Sequence, residues 1–256
     1  MIDPRAVIAP GAQLDTGVSV GAFAIIGADV RLGARTRIAP HAVVSGHTTL
    51  GCDNVVYQFA SIGDAPQDLK YAGEPTQLVI GDRNVFREFT TANRGTTHDE
   101  GVTRIGSDNL FMSYTHVAHD CQLGNRIVMA NNATLGGHVH LGDWVIMGGF
   151  AGVHQFCKVG AHAFVANNCA VTRDVPPYVL TEGRPAKPHS INSKGLERRG
   201  FDAQQIRHIK EAYRTLYRSD LPLTEAQTQL AARVATQPEL AIFVEFIHNS
   251  SRSLIR

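Results

Sequence analysis

The chain has 256 residues, 43% of them hydrophobic but only 7% aromatic, with a single tryptophan, Trp144. A formal net charge of +1 excludes an overall field that would draw the protein to nucleic acid or to a membrane surface. No apolar run approaches the roughly 20 residues needed to cross a bilayer, and the four cysteines, Cys52, Cys121, Cys157 and Cys169, show no C-x-x-C pairing, so free thiols in a reducing compartment are expected.

From the amino terminus an aliphatic residue recurs at every sixth position: Ile2, Ile8, Leu14, Val20, Ile26, Leu32, Ile38, Val44, Leu50, Val56, Ile62. The repeat begins at once, without the charged region and apolar run of a signal peptide. Neither a helix nor an alternating strand sustains a period of six. Such a pattern predicts a solenoid in which each hexad supplies one short strand and a corner, and three hexads complete a triangular coil of eighteen residues. Glycines such as Gly27, Gly33 and Gly51 mark the tight corners.

The register breaks after Ile62 and resumes at Ile80, eighteen residues on, so a first loop at about 63–79 is extruded in phase. A second break at about 93–104 shifts the phase by one before Ile105, and the series then runs through Phe111, Val117, Leu123, Met129, Leu135, Leu141, Met147, Val153, Val159, Val165 and Val171. Long excursions from a regular scaffold are where binding groups are carried. The repeat is expected to stop at Pro176-Pro177, followed by an irregular link. This gives a β-solenoid over 1–188 and a small α-helical domain over 189–256. In the latter, Asp202 caps one helix, Thr224 and Gln227 form a capping box for a second, and Pro238 opens a third. The helical domain carries ten Lys or Arg against seven Asp or Glu.

Folding at eighteen residues per coil stacks His119, Gly137-His138 and His154-Gln155 on one wall, a strip about 10 Å tall at ~4.8 Å per coil. An imidazole titrating near neutrality takes a proton, and a neighbouring carboxylate holds the useful tautomer. His119 with Asp120, or with a loop acid such as Asp68, fits that role. A second reading sets His116, His119 and His138 around zinc, as in six-residue-repeat proteins of the gamma-class carbonic anhydrase type. There is no H-E-x-x-H motif and no phosphate-cradling glycine loop.

Six segments carry a resemblance: Tyr57-Gln-Phe-Ala-Ser-Ile-Gly63, Gln67-Asp-Leu-Lys-Tyr-Ala-Gly-Glu-Pro75, His116-Val-Ala-His-Asp120, His154-Gln-Phe-Cys157, Asp174-Val-Pro-Pro-Tyr178 and Gly195-Leu-Glu-Arg-Arg-Gly-Phe201. Over nearly its whole length the chain resembles the UDP-N-acetylglucosamine acyltransferases. The resemblance implies a left-handed parallel β-helix assembled as a cytoplasmic homotrimer, working without a cofactor or metal. It also implies transfer of a 3-hydroxyacyl chain from acyl carrier protein to the 3-hydroxyl of UDP-N-acetylglucosamine, the first step of lipid A synthesis, or to a 3-amino analogue with formation of an amide. His119 then corresponds to the general base, Asp120 to its support and the Gly137 amide to the oxyanion donor. Asp68, Lys70, His138 and Gln155 correspond to residues that position sugar and donor, Asn192 and Arg198 to nucleotide-phosphate contacts, and His116 and His154 to histidines of the same cleft. Two residues depart from the family: Lys194 stands where a glutamate is common, and Asn93 replaces the histidine usual before Arg94-Gly95-Thr96.

Asn167 falls where similar enzymes have a glycine or a bulkier stop for the acyl chain. It lies 48 residues past His119, about 2.7 coils or 13 Å. At about 1.2 Å per bond this predicts a chain near ten to twelve carbons. A basic cluster, Arg198, Arg199, Arg207 and Lys210, would steer an acidic carrier protein in a salt-dependent way.

Overall fold

In the computed structural model, which describes residues 1–250 and 252–256, the period of six becomes a prism with three sheets of nine, eight and ten strands among the described residues, parallel throughout except for the last strand of the ten. Most strands are only two residues long, and partners lie eighteen residues apart, as in Val117 with Leu135 and Leu135 with Val153. The architecture is a left-handed parallel β-helix followed by a helical region. Each sixth residue points inward: Val56, Phe86, Phe111, Met129, Met147 and Val165 form one buried column. Phe86 and Phe111 stack within it at 4.8 Å. Full burial of each such ring contributes roughly 2–3 kcal/mol.

Corners are built by residues in the left-handed conformation, nearly all of them not glycine: Asp120, His138 and Phe156 (φ 60°, 60° and 65°) share one edge. The amide of the residue just before each has no partner within its own coil. Along two edges a side chain from the next coil supplies one. Ser107 N donates to Asn125 Oδ1 (2.8 Å), Asn125 N to Asp143 Oδ1 (2.7 Å), and Gly149 N to Asn167 Oδ1 (2.9 Å). Inside the prism, Asn54, Asn84 and Asn109 form a buried ladder in which Asn84 Nδ2 donates to Asn54 Oδ1 at 3.0 Å. Buried polar atoms paired in this way avoid a desolvation cost of about 1–3 kcal/mol each.

Both loops are narrower than their sequence outlines because the flanking strands lengthen: Ser61–Asp64 and Gln77–Ile80 bound the first, Thr91–Asn93 and Val102–Ile105 the second. Ser61 pairs with Thr91, thirty residues on, and Gln77 with Val102, twenty-five on. The first insertion is therefore a multiple of six and keeps phase, and the second is not.

The solenoid does not stop at Pro176-Pro177, which is a correction to the sequence reading. The prolines fill a corner, Val175 bridges Val159, and the chain re-enters the sheet at Val179–Glu182. A strand at Lys187–Ile191 then pairs antiparallel to it and crosses the division expected at 188. Among the described residues four α-helices follow: α1 (Ser193–Arg198), α2 (Ala203–Tyr217), α3 (Leu223–Arg233) and α4 (Ala241–His248). Asp202 caps α2 in a full capping box with Gln205, and Pro238 opens the turn before α4. The Thr224 box does not form. Pro222, with φ already near the helical value, starts α3 earlier, and Gln227 instead donates to the Ile247 carbonyl (3.3 Å) of α4.

Candidate functional site

The Asp120, His138 and Phe156 edge carries the densest polar cluster. Its left-handed corners turn side chains outward, one above the next: His138 stacks on Phe156 at 4.3 Å, and His138 Nε2 lies 3.7 Å from Asp120 Oδ2. His119, beside Asp120, meets His138 edge-on with centroids 5.2 Å apart.

His119 Nδ1 sits 2.8 Å from Asp120 Oδ2, and Asp120 is almost wholly buried. The second loop completes the carboxylate's shell, with the Thr96 amide donating to Oδ1 (2.8 Å) and its hydroxyl to Oδ2 (2.7 Å). Burial pushes the Asp120 carboxyl up, but the hydrogen bonds from His119 and Thr96 outweigh it and hold the group below its ordinary value. An ionised Asp120 can only accept, so His119 carries its proton on Nδ1 and exposes an Nε2 lone pair. That nitrogen lies over Gly137: a methyl group built there would stand 2.8 Å from Nε2 and 2.6 Å from Cε1.

The Gly137 amide has no acceptor among the described residues. The residue one coil on is Gln155, whereas Asn125, Asp143 and Asn167 serve the corresponding amides elsewhere. Imidazole lone pair and unsatisfied N–H thus lie side by side, the pairing that base-assisted attack on a carbonyl requires.

His138 Nδ1 contacts Asp99 Oδ2 at 2.7 Å. Thr96 was marked by the sequence only as part of the family segment Arg94-Gly95-Thr96, without a role, and Asp99 not beyond lying in an interrupted stretch. His116 Nδ1 pairs with the Thr91 hydroxyl at 2.7 Å, and burial, with nearby His119, holds its imidazole below the ordinary value. The trio brought within 4.8 Å is His119, Asp120 and His138; it is not the three imidazoles of the zinc reading, and both oxygens of Asp120 already accept from Thr96.

Gln155 and His154 lie one coil further along, where Arg252 donates to the Gln155 carbonyl at 2.9 Å. Lys70 is exposed in the first loop, and Asp68 Oδ1 accepts from its amide (3.0 Å). That loop is tied to the second by Arg94, which donates to Tyr71 Oη (2.8 Å), and by Asn93, whose side-chain Nδ2 donates to the Ala65 carbonyl (2.9 Å). Asn192 is buried as the cap of α1, accepting from Gly195 N (3.2 Å) and donating to the His162 carbonyl (3.0 Å). Arg198 and Lys194 are exposed, the latter paired with Glu197 at 2.9 Å. Arg199 instead lies over Trp144 with its guanidinium 5.1 Å from the ring, leaving Arg207, Lys210 and Arg214 as the exposed basic stripe of α2. Asn167 is exposed while it caps Gly149.

Residues 174–255 match the family model described as Udp N-acetylglucosamine O-acyltransferase, domain 2. The chain is 56% identical to the acyl-[acyl-carrier-protein]–UDP-N-acetylglucosamine O-acyltransferase of Herminiimonas arsenicoxydans, covering 100% of this chain and 99% of that one. It is 51% identical to the protein of the same name from Thiobacillus denitrificans, with the same coverage. Among solved structures, the UDP-N-acetylglucosamine O-acyltransferase of Moraxella catarrhalis superposes with a TM-score of 0.98 at 43% identity, covering 100% of this chain and 99% of that one.

Proposed function

Because the chain belongs to the UDP-N-acetylglucosamine O-acyltransferase family, and so transfers an acyl chain from acyl carrier protein to UDP-N-acetylglucosamine in the first step of lipid A biosynthesis, we propose that His119 is the general base of that transfer. Asp120 holds the Nδ1–H tautomer, leaving Nε2 to take the proton of the sugar 3-hydroxyl. The oxygen attacks the thioester carbonyl, and the charge that develops there is met by the Gly137 amide. Collapse of the tetrahedral intermediate expels the carrier's thiolate, which recovers the proton from His119. The observation that carries this reading is the contact between the His119 ring and Gly137, with Nδ1 anchored on a buried carboxylate. Such a base contributes about 10²–10⁴-fold.

His138, fixed by Asp99, and His116, His154 and Gln155 then line the path of sugar and donor, with Arg198 toward the nucleotide. The subunits form a homotrimer whose neighbouring chains close the crevice, bringing Asp68 and Lys70 to an adjoining site. Supporting this, His154 and Gln155 at the upper end of the His119 wall are exposed, Leu69 is fully exposed at the loop tip, and Phe23, His41, Phe59, Phe89 and Tyr114 form an exposed stacked column with spacings of 4.9–5.4 Å. An acyl-carrier-protein donor places the reaction in the cytoplasm. Among the described residues no helix is long and apolar enough to cross a membrane.

The test is acyl transfer from a panel of 3-hydroxyacyl carrier proteins to UDP-N-acetylglucosamine and to its 3-amino analogue, with His119→Ala as control. Ester formation on the natural sugar with ten- to twelve-carbon donors, abolished in the control, is expected. Preference for the amino sugar, or full turnover by His119→Ala, contradicts the assignment.

A further inference from the structure

Beyond the His119 wall, the last residues of the chain return from α4 to the solenoid and are fastened there by Asp174, which is fully buried. Its amide donates to the Ser253 carbonyl (3.2 Å), and its own carbonyl accepts from Ile255 N (2.9 Å). Oδ1 accepts from Lys158 N (2.8 Å) and Oδ2 from the Ser250 hydroxyl (2.6 Å). Leu254 and Ile255 are buried beside it. This clamp sets Arg252 against the crevice wall, where one terminal nitrogen lies 2.9 Å from the Gln155 carbonyl and 3.1 Å from His154 Nδ1. His154 Nδ1 also lies 3.1 Å from the Gln155 carbonyl, so the ring is bracketed by a donor and an acceptor on this side and turns Nε2 away from both.

His154, Thr172, Arg173, Arg252 and Ser253 line one open cleft of about 490 Å³. Its charged groups are two guanidiniums. Neither is in an ion pair among the described residues, and both oxygens of Asp174, the acid adjoining Arg173, already accept hydrogen bonds. Every other group lining the cleft is a hydroxyl or the donor-bearing imidazole. Uncompensated cations around a concave surface attract an anion, and guanidinium forks match phosphate oxygens.

We propose that this cleft is a phosphate subsite, binding a phosphate ester carried by one of the two substrates. Anion binding itself stands on the geometry above; which substrate supplies the anion rests on the acyltransferase reading. His154 lies two coils from His119, about 10 Å. Five bonds separate the 3-hydroxyl oxygen of a nucleotide sugar from its first phosphorus and seven from the next, about 6 and 8 Å at ~1.2 Å per bond. The thirteen bonds from the carrier's thiol sulfur to its arm phosphorus span about 16 Å. The extended diphosphate, about 8 Å to its second phosphorus, spans the separation once a hydrogen bond of about 3 Å is added, and the arm reaches it folded.

Titration calorimetry on the full chain with UDP, uridine, and holo- and apo-acyl carrier protein tests this, comparing wild type with Arg173→Met and Arg252→Met. Arg173 makes no hydrogen bond among the described residues, so its variant keeps the fold even where Arg252→Met loosens the tail. Each variant is expected to weaken UDP about tenfold or more and to leave uridine unchanged. Loss confined to holo-carrier would identify the arm phosphate as occupant and equally sustain the subsite. UDP and holo-carrier both bound within twofold of wild type by Arg173→Met would overturn it, as would equal losses for UDP and uridine. These readouts need no turnover, so a failure of the acyl-transfer reading would show as inactive protein with UDP binding intact.

Discussion

Replacing Gly137 with alanine probes the site at its tightest point. The added methyl would stand 2.6 Å from His119 Cε1 and 2.8 Å from Nε2, whereas ordinary carbon contacts begin near 3.4 Å, so the imidazole must retreat by about 0.8 Å. Behind it is Asp120 at 2.8 Å from Nδ1; the ring keeps that bond or its place over residue 137, but not both. A misplacement near 1 Å costs roughly 100-fold in rate, equivalent to about 2.7 kcal/mol. The backbone at Gly137 is not left-handed, so its φ suits alanine and the strain falls on the His119 ring, where weakening the bond to Asp120 costs about 1–3 kcal/mol. Steady-state acyl transfer with a 3-hydroxyacyl carrier protein, alongside a thermal melt, should show kcat/KM down about 100-fold while the melting temperature falls by only about 2–10 °C and the protein stays folded at the assay temperature. Activity within threefold of wild type, or loss of activity only through unfolding, would show that the His119 ring does not have to sit over residue 137.

Gln155→Asn installs the side chain that caps corner amides elsewhere. It should cover the Gly137 N–H and lower kcat about tenfold or more without changing stability, and an unchanged kcat would deny that amide its role. Asn167→Gly removes an exposed side chain at the proposed end of the acyl groove, and donor competition should shift toward fourteen carbons; unaltered preference would remove the stop from Asn167. Glu88 is held down to about 2 chiefly by the Arg87 side chain, with its own amide and the Ser113 hydroxyl assisting against burial. A lowered carboxylate stabilises the fold above its unfolded value, about 4.3, and that contribution fades as pH falls from there toward 2. Glu88→Gln should therefore lose on the order of 1 kcal/mol at pH 7 and show a flatter acid limb in pH-dependent melts; an acid limb identical to wild type would contradict the assignment.

The columns of the prism were legible because every hexad must bury one side chain, and a buried aliphatic every six residues has no other regular solution. His119 stood out for a related reason, since coil arithmetic stacks it under Gly137 and Gln155. What stayed hidden depended on paths that no period records. Thr96 and Asp99 reach Asp120 and His138 only because the second insertion folds back onto the corner edge. Pro176-Pro177 read as an end because proline cannot donate to a ladder, yet at a corner no donor is needed, and the sheet continues. Thr224 matched a capping pattern that Pro222 pre-empted. Asn192 matched a nucleotide contact, while its amide caps α1 and holds the His162 carbonyl.

Proton removal by His119 is tested most directly by comparing His119→Ala with wild type for both turnover and UDP-N-acetylglucosamine affinity. A base that acts in the transition state gives a fall in kcat of about 10²–10⁴-fold with affinity preserved within a few-fold. Wild-type kcat with weakened affinity would make His119 a binding residue and leave the reaction without its base.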